Sequence, residues 1–199
     1  RRSLMLAIVD SGGANIASVR FALDRLGIQS ELTADPAIIR SADRVILPGV
    51  GAANEGMRKL HERGLVDCVR SLTQPVLGVC LGMQLLFESS AEGPTETLGL
   101  IPGQVDLLPC APSIQVPHMG WNTILSGKNA PLLEGIDEEA RFYFVHSYYV
   151  PENEYTIGSC EYGITFSAIV ERNNFYGCQF HPEKSSKNGS KLLENFLKL

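Results

Sequence analysis

Residues 4–9, Leu-Met-Leu-Ala-Ile-Val, form an unbroken apolar run that stops at Asp10 and a Ser11-Gly12-Gly13 turn. A run without polar alternation predicts a strand covered on both faces, as in a parallel sheet. The same unit then recurs. From Asn15, the expected N-cap, Ile16, Val19, Leu23 and Leu26 fall at helical spacing until Gly27 stops the pattern. Residues 28–33 and 44–47 read as the next two strands, the second ending in Pro48-Gly49-Val50-Gly51, with a helix expected from near Asn54. Residues 75–79 are another apolar strand, and 81–88 continue at once as a helix with Leu81, Gln84, Leu85 and Glu88 in phase. Strands alternating with helices predict an α/β fold, a mostly parallel central sheet flanked by helices, with sites at the carboxyl ends of strands.

After Gly99 the pattern changes. Residues 104–108, 141–145, 155–161, 167–171 and 175–180 read as successive strands between Pro, Gly and Asn turns, so additional antiparallel strands are expected in the second half, closed by a helix over 191–199. No repeat or linker interrupts the 199 residues, and one domain spanning 1–199 is expected. Lys plus Arg total 17 against 22 Asp plus Glu, a net charge of −5, and no basic run tracks a phosphate backbone. Nucleic acid is therefore not an expected partner. No stretch approaches the ~20 apolar residues a membrane span needs, and the opening residues do not resemble a signal peptide. A cytoplasmic chain with no membrane association is expected. Cys68, Cys80, Cys110, Cys160 and Cys178 are scattered with no CxxC pair, which argues against zinc and against a redox dithiol, and nothing calls for a metal or a cofactor.

One cysteine stands apart. In Val76-Leu-Gly78-Val-Cys80-Leu-Gly82-Met-Gln84 the thiol sits between a strand and a helix, with a glycine two positions to either side. A strand that turns directly into a helix strains the backbone at the turn residue and crowds its neighbours, so glycines there expose a nucleophile. The helix start would favour a thiolate and leave the Leu81 N–H free for an oxyanion. A thiolate used for acyl transfer needs a base and an orienting acid. The chain offers them in Gln179-Phe-His181-Pro-Glu183, where His181 follows a strand and Glu183 can hold the far ring nitrogen. Alone, a His-x-Glu pair is more often a solvated loop, and a lone cysteine is more often a buried structural thiol. Together they point to a Cys-His-Glu triad.

Gly78-Val-Cys80-Leu-Gly82-Met-Gln84 with His181-Pro-Glu183 resembles the class I (triad) glutamine amidotransferases, whose fold is flavodoxin-like. Pro48-Gly-Val-Gly51, Pro117-His-Met-Gly-Trp-Asn122, His146-Ser-Tyr148 and Gln179-Phe-His-Pro-Glu-Lys-Ser185 resemble one branch of that family, the glutaminase subunits that work beside a TIM-barrel cyclase in histidine biosynthesis. The similarity runs from the first strand to the last helix. The first turn, Asp10 to Asn15, departs from the family pattern by one place, which touches a loop and not the triad.

The resemblance implies that glutamine is the substrate, Cys80 the nucleophile, His181 the proton shuttle and Glu183 its orienter. It also implies that the Leu81 N–H and an amide of the Gly49-Val50-Gly51 turn form the oxyanion hole, the glycines allowing a peptide flip. Gln84, Glu92, His146, Ser147 and Tyr148 match glutamine-binding positions, although His146 reads equally as a strand residue with a satisfied ring. Ammonia would pass to the cyclase in a heterodimer, giving imidazole glycerol phosphate and an aminoimidazole carboxamide ribotide. Trp121, Asn122, Tyr143 and Lys184 are the expected contacts with that partner, the 117–122 segment serving as a docking loop. Three other readings stay open. The chain could serve anthranilate, guanylate, carbamoyl phosphate or pyridoxal phosphate synthesis, could be a hydrolase of another substrate, or could be a non-catalytic interaction module on the same fold.

Overall fold

In the computed structural model the chain is described over residues 3–12 and 16–199; Gly13 of the first turn and the expected N-cap Asn15 lie outside the described residues. The elements run β1 (Leu6–Val9), α1 (Ala17–Arg25), β2 (Ser30–Thr33), α2 (Pro36–Ser41), β3 (Arg44–Leu47), α3 (Ala53–Glu62), α4 (Val66–Arg70), β4 (Val76–Val79) and α5 (Leu81–Leu85). They continue with β5 (Ser89–Ser90), β6 (Thr95–Glu96), β7 (Gln104–Leu107), β8 (His118–Thr123), β9 (Leu125–Ser126), β10 (Arg141–His146), β11 (Tyr148–Tyr149), β12 (Thr156–Glu161), β13 (Thr165–Arg172), β14 (Phe175–Cys178) and α6 (Ser186–Leu197).

Eight strands form the central sheet in the order β2-β1-β3-β4-β14-β13-β12-β9. The first four pair in parallel with one another and with β14; β13, β12 and β9 then follow antiparallel. This is the predicted architecture, and its reason is visible in the burial: β1 and β4 are buried at every position, each face under helices. Alternate residues of one strand feed two cores. Leu6 and Ile8 pack with Val19 and Leu23 of α1 and Leu192 and Phe196 of α6. Ala7 and Val9 pack with Met57 and Leu60 of α3 and Leu85 of α5.

Several elements differ from the sequence reading. The helix expected over 81–88 ends at Leu85, because Leu86 and Phe87 bond three residues back and the Glu88 N–H pairs with the Gly103 carbonyl instead. The closing helix begins at Ser186, its polar first turn having hidden it. Two short helices, α2 and α4, were not legible, although α2 has a capping Asp35 whose side chain accepts from Ala37 N at 2.9 Å. The segment expected as a docking loop is strand β8, paired antiparallel with β10 from Arg141↔Thr123 to His146↔His118. Gly120, lacking a side chain, had masked its alternation: His118 points in while Met119 and Trp121 lie exposed. Among the described residues no helix is long and apolar enough to cross a membrane.

Candidate active site

Three neighbouring strands of the sheet deliver the site from their carboxyl ends. β3 leads into Pro48-Gly49-Val50-Gly51, β4 into Cys80 and β14 into Gln179, Phe180 and His181. The register Cys178↔Val79 sets Cys80 beside the residues that follow β14, and the Cys80 N–H donates to the Cys178 carbonyl at 2.8 Å.

Cys80 has φ +55° and ψ −113°, a conformation that costs a non-glycine residue ~1–3 kcal/mol and is held only by its surroundings. Its two glycines are sterically required. A Cβ on Gly82 would lie 1.9 Å from the Leu47 carbonyl oxygen, and one on Gly78 would lie 2.7 Å from the Gly82 carbonyl oxygen. This close approach locks the start of α5 against the end of β3. Gly49 takes part: a Cβ there would meet Gly82 N at 3.0 Å, and Gly51 adopts φ +92°.

His181 stands within hydrogen-bonding reach of the Cys80 sulfur, while its Nδ1 pairs with Glu183 Oε1 at 2.6 Å. Burial opposes a charged imidazolium here, but hydrogen bonds to Cys80 and Glu183 outweigh it and hold His181 raised to about 10. The backbone is equally fixed. The His181 N–H donates to the Tyr143 carbonyl at 3.0 Å, Ser185 Oγ donates to the His181 carbonyl at 2.6 Å, and the bare Gly189 lets α6 close on Pro182.

The sulfur faces a cavity of about 420 Å³ walled by Val50, Gly51, Cys80, Leu81, Gln84, Glu92, His181 and residues 145–148. Cys80 and His181 of the expected triad, Val50 and Gly51 of the turn, Leu81 and all five expected glutamine-binding positions therefore converge on one space, whereas Glu183 reaches it only through the His181 ring and Gly49 does not line it. Two of the wall residues have further ties. Glu92 Oε1 accepts from Ala53 N at 2.6 Å at the start of α3, directly after the glycine turn. Both ring nitrogens of His146 are occupied, Nδ1 with the Tyr148 carbonyl at 2.8 Å and Nε2 with His118 Nδ1 at 3.0 Å, so the satisfied-ring reading of this residue is the one observed. Burial pushes both histidines down to about 4.

Of the expected partner contacts, Trp121 is 48% exposed and stacks edge-on with Tyr143 at 5.9 Å, and Lys184 is exposed. Asn122 is engaged inside the chain, donating to the Glu161 carbonyl at 3.2 Å and accepting from Thr123 N at 2.8 Å. Two residues of this constellation escaped the sequence reading as participants, His118 and Gln179. For Gln179 a signal existed, since in extended backbone residues 179 and 181 share a face.

A cysteine on a strained strand-to-helix turn, an imidazole held by a carboxylate and a lined cavity at the strand ends are the parts an acyl-transfer site of cysteine type requires. A model of the family described as glutamine amidotransferase class-I matches residues 7–199, and the chain belongs to that family. Among its relatives the chain is 52% identical over 192 residues to the imidazole glycerol phosphate synthase subunit HisH of Haemophilus influenzae, covering 96% of each chain. It is 50% identical over 194 residues to the HisH subunit of Xylella fastidiosa, covering 98% of this chain and 97% of that one. A solved glutamine amidotransferase shares the fold at a TM-score of 0.73 and 19% identity, covering 97% of both chains.

Proposed function

We propose that this chain is the glutaminase subunit of imidazole glycerol phosphate synthase, a cytoplasmic enzyme of histidine biosynthesis, and that it passes ammonia to a TIM-barrel cyclase subunit in a heterodimer. The observation that carries the reading is Cys80 on its strained turn, facing the cavity, with His181 against its sulfur and Glu183 behind the ring at 2.6 Å. The relatives' name supplies the synthase.

In this reading the Cys80 sulfur attacks the side-chain amide carbon of glutamine. The oxyanion is met by the Leu81 N–H at the start of α5 and by an amide of the Gly49-Val50-Gly51 turn, whose glycines allow the peptide flip that aims it. His181, charged at neutral pH, gives its proton to the leaving nitrogen, and ammonia departs from a glutamyl thioester. The ring, now neutral, takes a proton from water as that water attacks the thioester carbon, releasing glutamate and returning the anionic Cys80 sulfur beside the recharged ring. Glu183 keeps the ring oriented through both steps. Gln84, Glu92, Ser147 and Tyr148 hold the substrate, with His146 as wall rather than ligand. The exposed Trp121 with Tyr143, Asn122 and Lys184 face the cyclase.

The test is a paired assay of the complex reconstituted with a cyclase subunit of the relatives' type. Cys80→Ala should lose the glutamine-dependent cyclase reaction and keep the reaction driven by added ammonium. Loss of both, or retention of both, would overturn the assignment.

A further inference from the structure

We infer that Gln179 is a further catalytic residue: its side-chain amide donates a hydrogen bond to the Cys80 sulfur and ties the nucleophile to Gln84 in the cavity wall. The inference rests on the reading of Cys80 as the nucleophile and deepens it. Gln179 is fully buried, and its Nε2 lies 3.7 Å from Cys80 Sγ, within reach of the large sulfur atom.

The direction of this bond is dictated by a group that can only accept. The Tyr148 carbonyl receives Gln84 Nε2 at 3.0 Å, so it is the amide nitrogen of Gln84 that points there. The second hydrogen of that nitrogen goes to Gln179 at 2.9 Å, which must therefore present its oxygen, Oε1. With the oxygen turned to Gln84, the Gln179 amide nitrogen is left facing the sulfur. The same carbonyl fixes the other arm. His146 donates to it from Nδ1 and so, as a neutral ring, accepts at Nε2 from His118. One carbonyl thus sets the polarity of every bond from His118 to the thiol.

The chemical consequence is specific. An N–H donor stabilises sulfur carrying negative charge over neutral sulfur, so Gln179 assists His181 from a second direction and does so without a proton of its own to exchange. It holds the leaving-group form of the sulfur as well, which is the form regenerated when water opens the thioester. Anything that pulls on Gln84 in the cavity also pulls on the donor to the nucleophile.

The experiment measures the rate at which iodoacetamide alkylates Cys80 at neutral pH, followed by peptide mapping, in the unsubstituted chain and in Gln179→Met, which keeps the side-chain length and removes the donor. The rate at Cys80 should fall roughly threefold or more, the lost hydrogen bond being partly offset by the higher intrinsic reactivity of a more basic thiol. The exposed Cys110 serves as internal reference and should react at an unchanged rate. An unchanged Cys80 rate overturns the inference. A second measurement needs no substitution at the buried position: the side-chain amide proton resonances of Gln179 should move when Cys80 is replaced by Ala and stay unmoved if no bond exists, which would also overturn it. Neither readout uses glutamine. Absence of glutamine hydrolysis in a chain whose Gln179 resonances do follow Cys80 would count against the glutaminase reading alone.

Discussion

Gly82 and Leu47 meet where no side chain fits: a Cβ at position 82 would lie 1.9 Å from the Leu47 carbonyl oxygen. This contact joins the nucleophile's helix to the strand that ends in the glycine turn, so the sulfur and the expected oxyanion donors are positioned by one piece of packing. Gly82→Ala should destabilise the fold by about 1–3 kcal/mol, since the clash is with backbone that cannot rotate away. Thermal unfolding checks the loss, and an unchanged Tm would show that β3 and α5 are free to separate.

The histidines give the fold a stability optimum. His118 and His146 are held neutral down to about 4, whereas in the unfolded chain such rings take a proton near ~6.5, so stability should fall as pH drops between those values. His181 acts in the opposite sense. Raised to about 10, it keeps a proton that the unfolded chain releases near ~6.5, so its contribution is complete below that pH and is lost as pH climbs toward 10. Urea midpoints should pass through a maximum near pH ~6.5, and His181→Gln should flatten the alkaline side. A midpoint rising steadily into the alkaline range in the unsubstituted chain would contradict this.

Glu92 links the cavity to the glycine turn. Its carboxylate accepts from Ala53 N at the start of α3, one residue beyond Ala52, which follows Gly51. Glu92→Ala removes that cap and should cost about 1 kcal/mol of stability, with a raised KM for glutamine as a second readout. A raised KM at unchanged stability would assign Glu92 to the substrate and leave the cap without weight.

Trp121 tests the exposed face of the β8–β10 ribbon. It is 48% exposed and its indole meets the Tyr143 ring edge-on, so Trp121→Ala should cost about 1 kcal/mol or less in stability. Binding of the cyclase should weaken by about 2 kcal/mol, which titration calorimetry resolves. A large fall in Tm with unchanged affinity would make Trp121 a structural residue.

How much of this was legible beforehand follows from which features are local. The elbow was readable because the crowding around the strained Cys80 turn is avoided by neighbours in sequence, Gly78 and Gly82, and the parallel strands because continuous apolar runs need cover on both faces. The His181–Glu183 pair was readable for the same reason. What could not be read depends on partners far along the chain. Strand β8 takes its form from β10, and polar Asn122 and bare Gly120 hid its alternation. The early end of α5 is imposed by the Glu88 bond to Gly103. His118 joins the network only once the Tyr148 carbonyl is in place, and nothing adjacent to it announces that; for Gln179 the one local signal is its place two residues before His181.

The central claim, that Cys80 is a glutamine-directed nucleophile, is tested most directly by treating the purified chain with an electrophilic glutamine analogue and mapping the adduct. Cys110 is the exposed free thiol and Cys80 is buried, so accessibility alone would favour Cys110. The account predicts an adduct on Cys80, slowed by excess glutamine and lost in Cys80→Ala. An adduct on Cys110 instead, or labelling of Cys80 that glutamine does not slow, would contradict it.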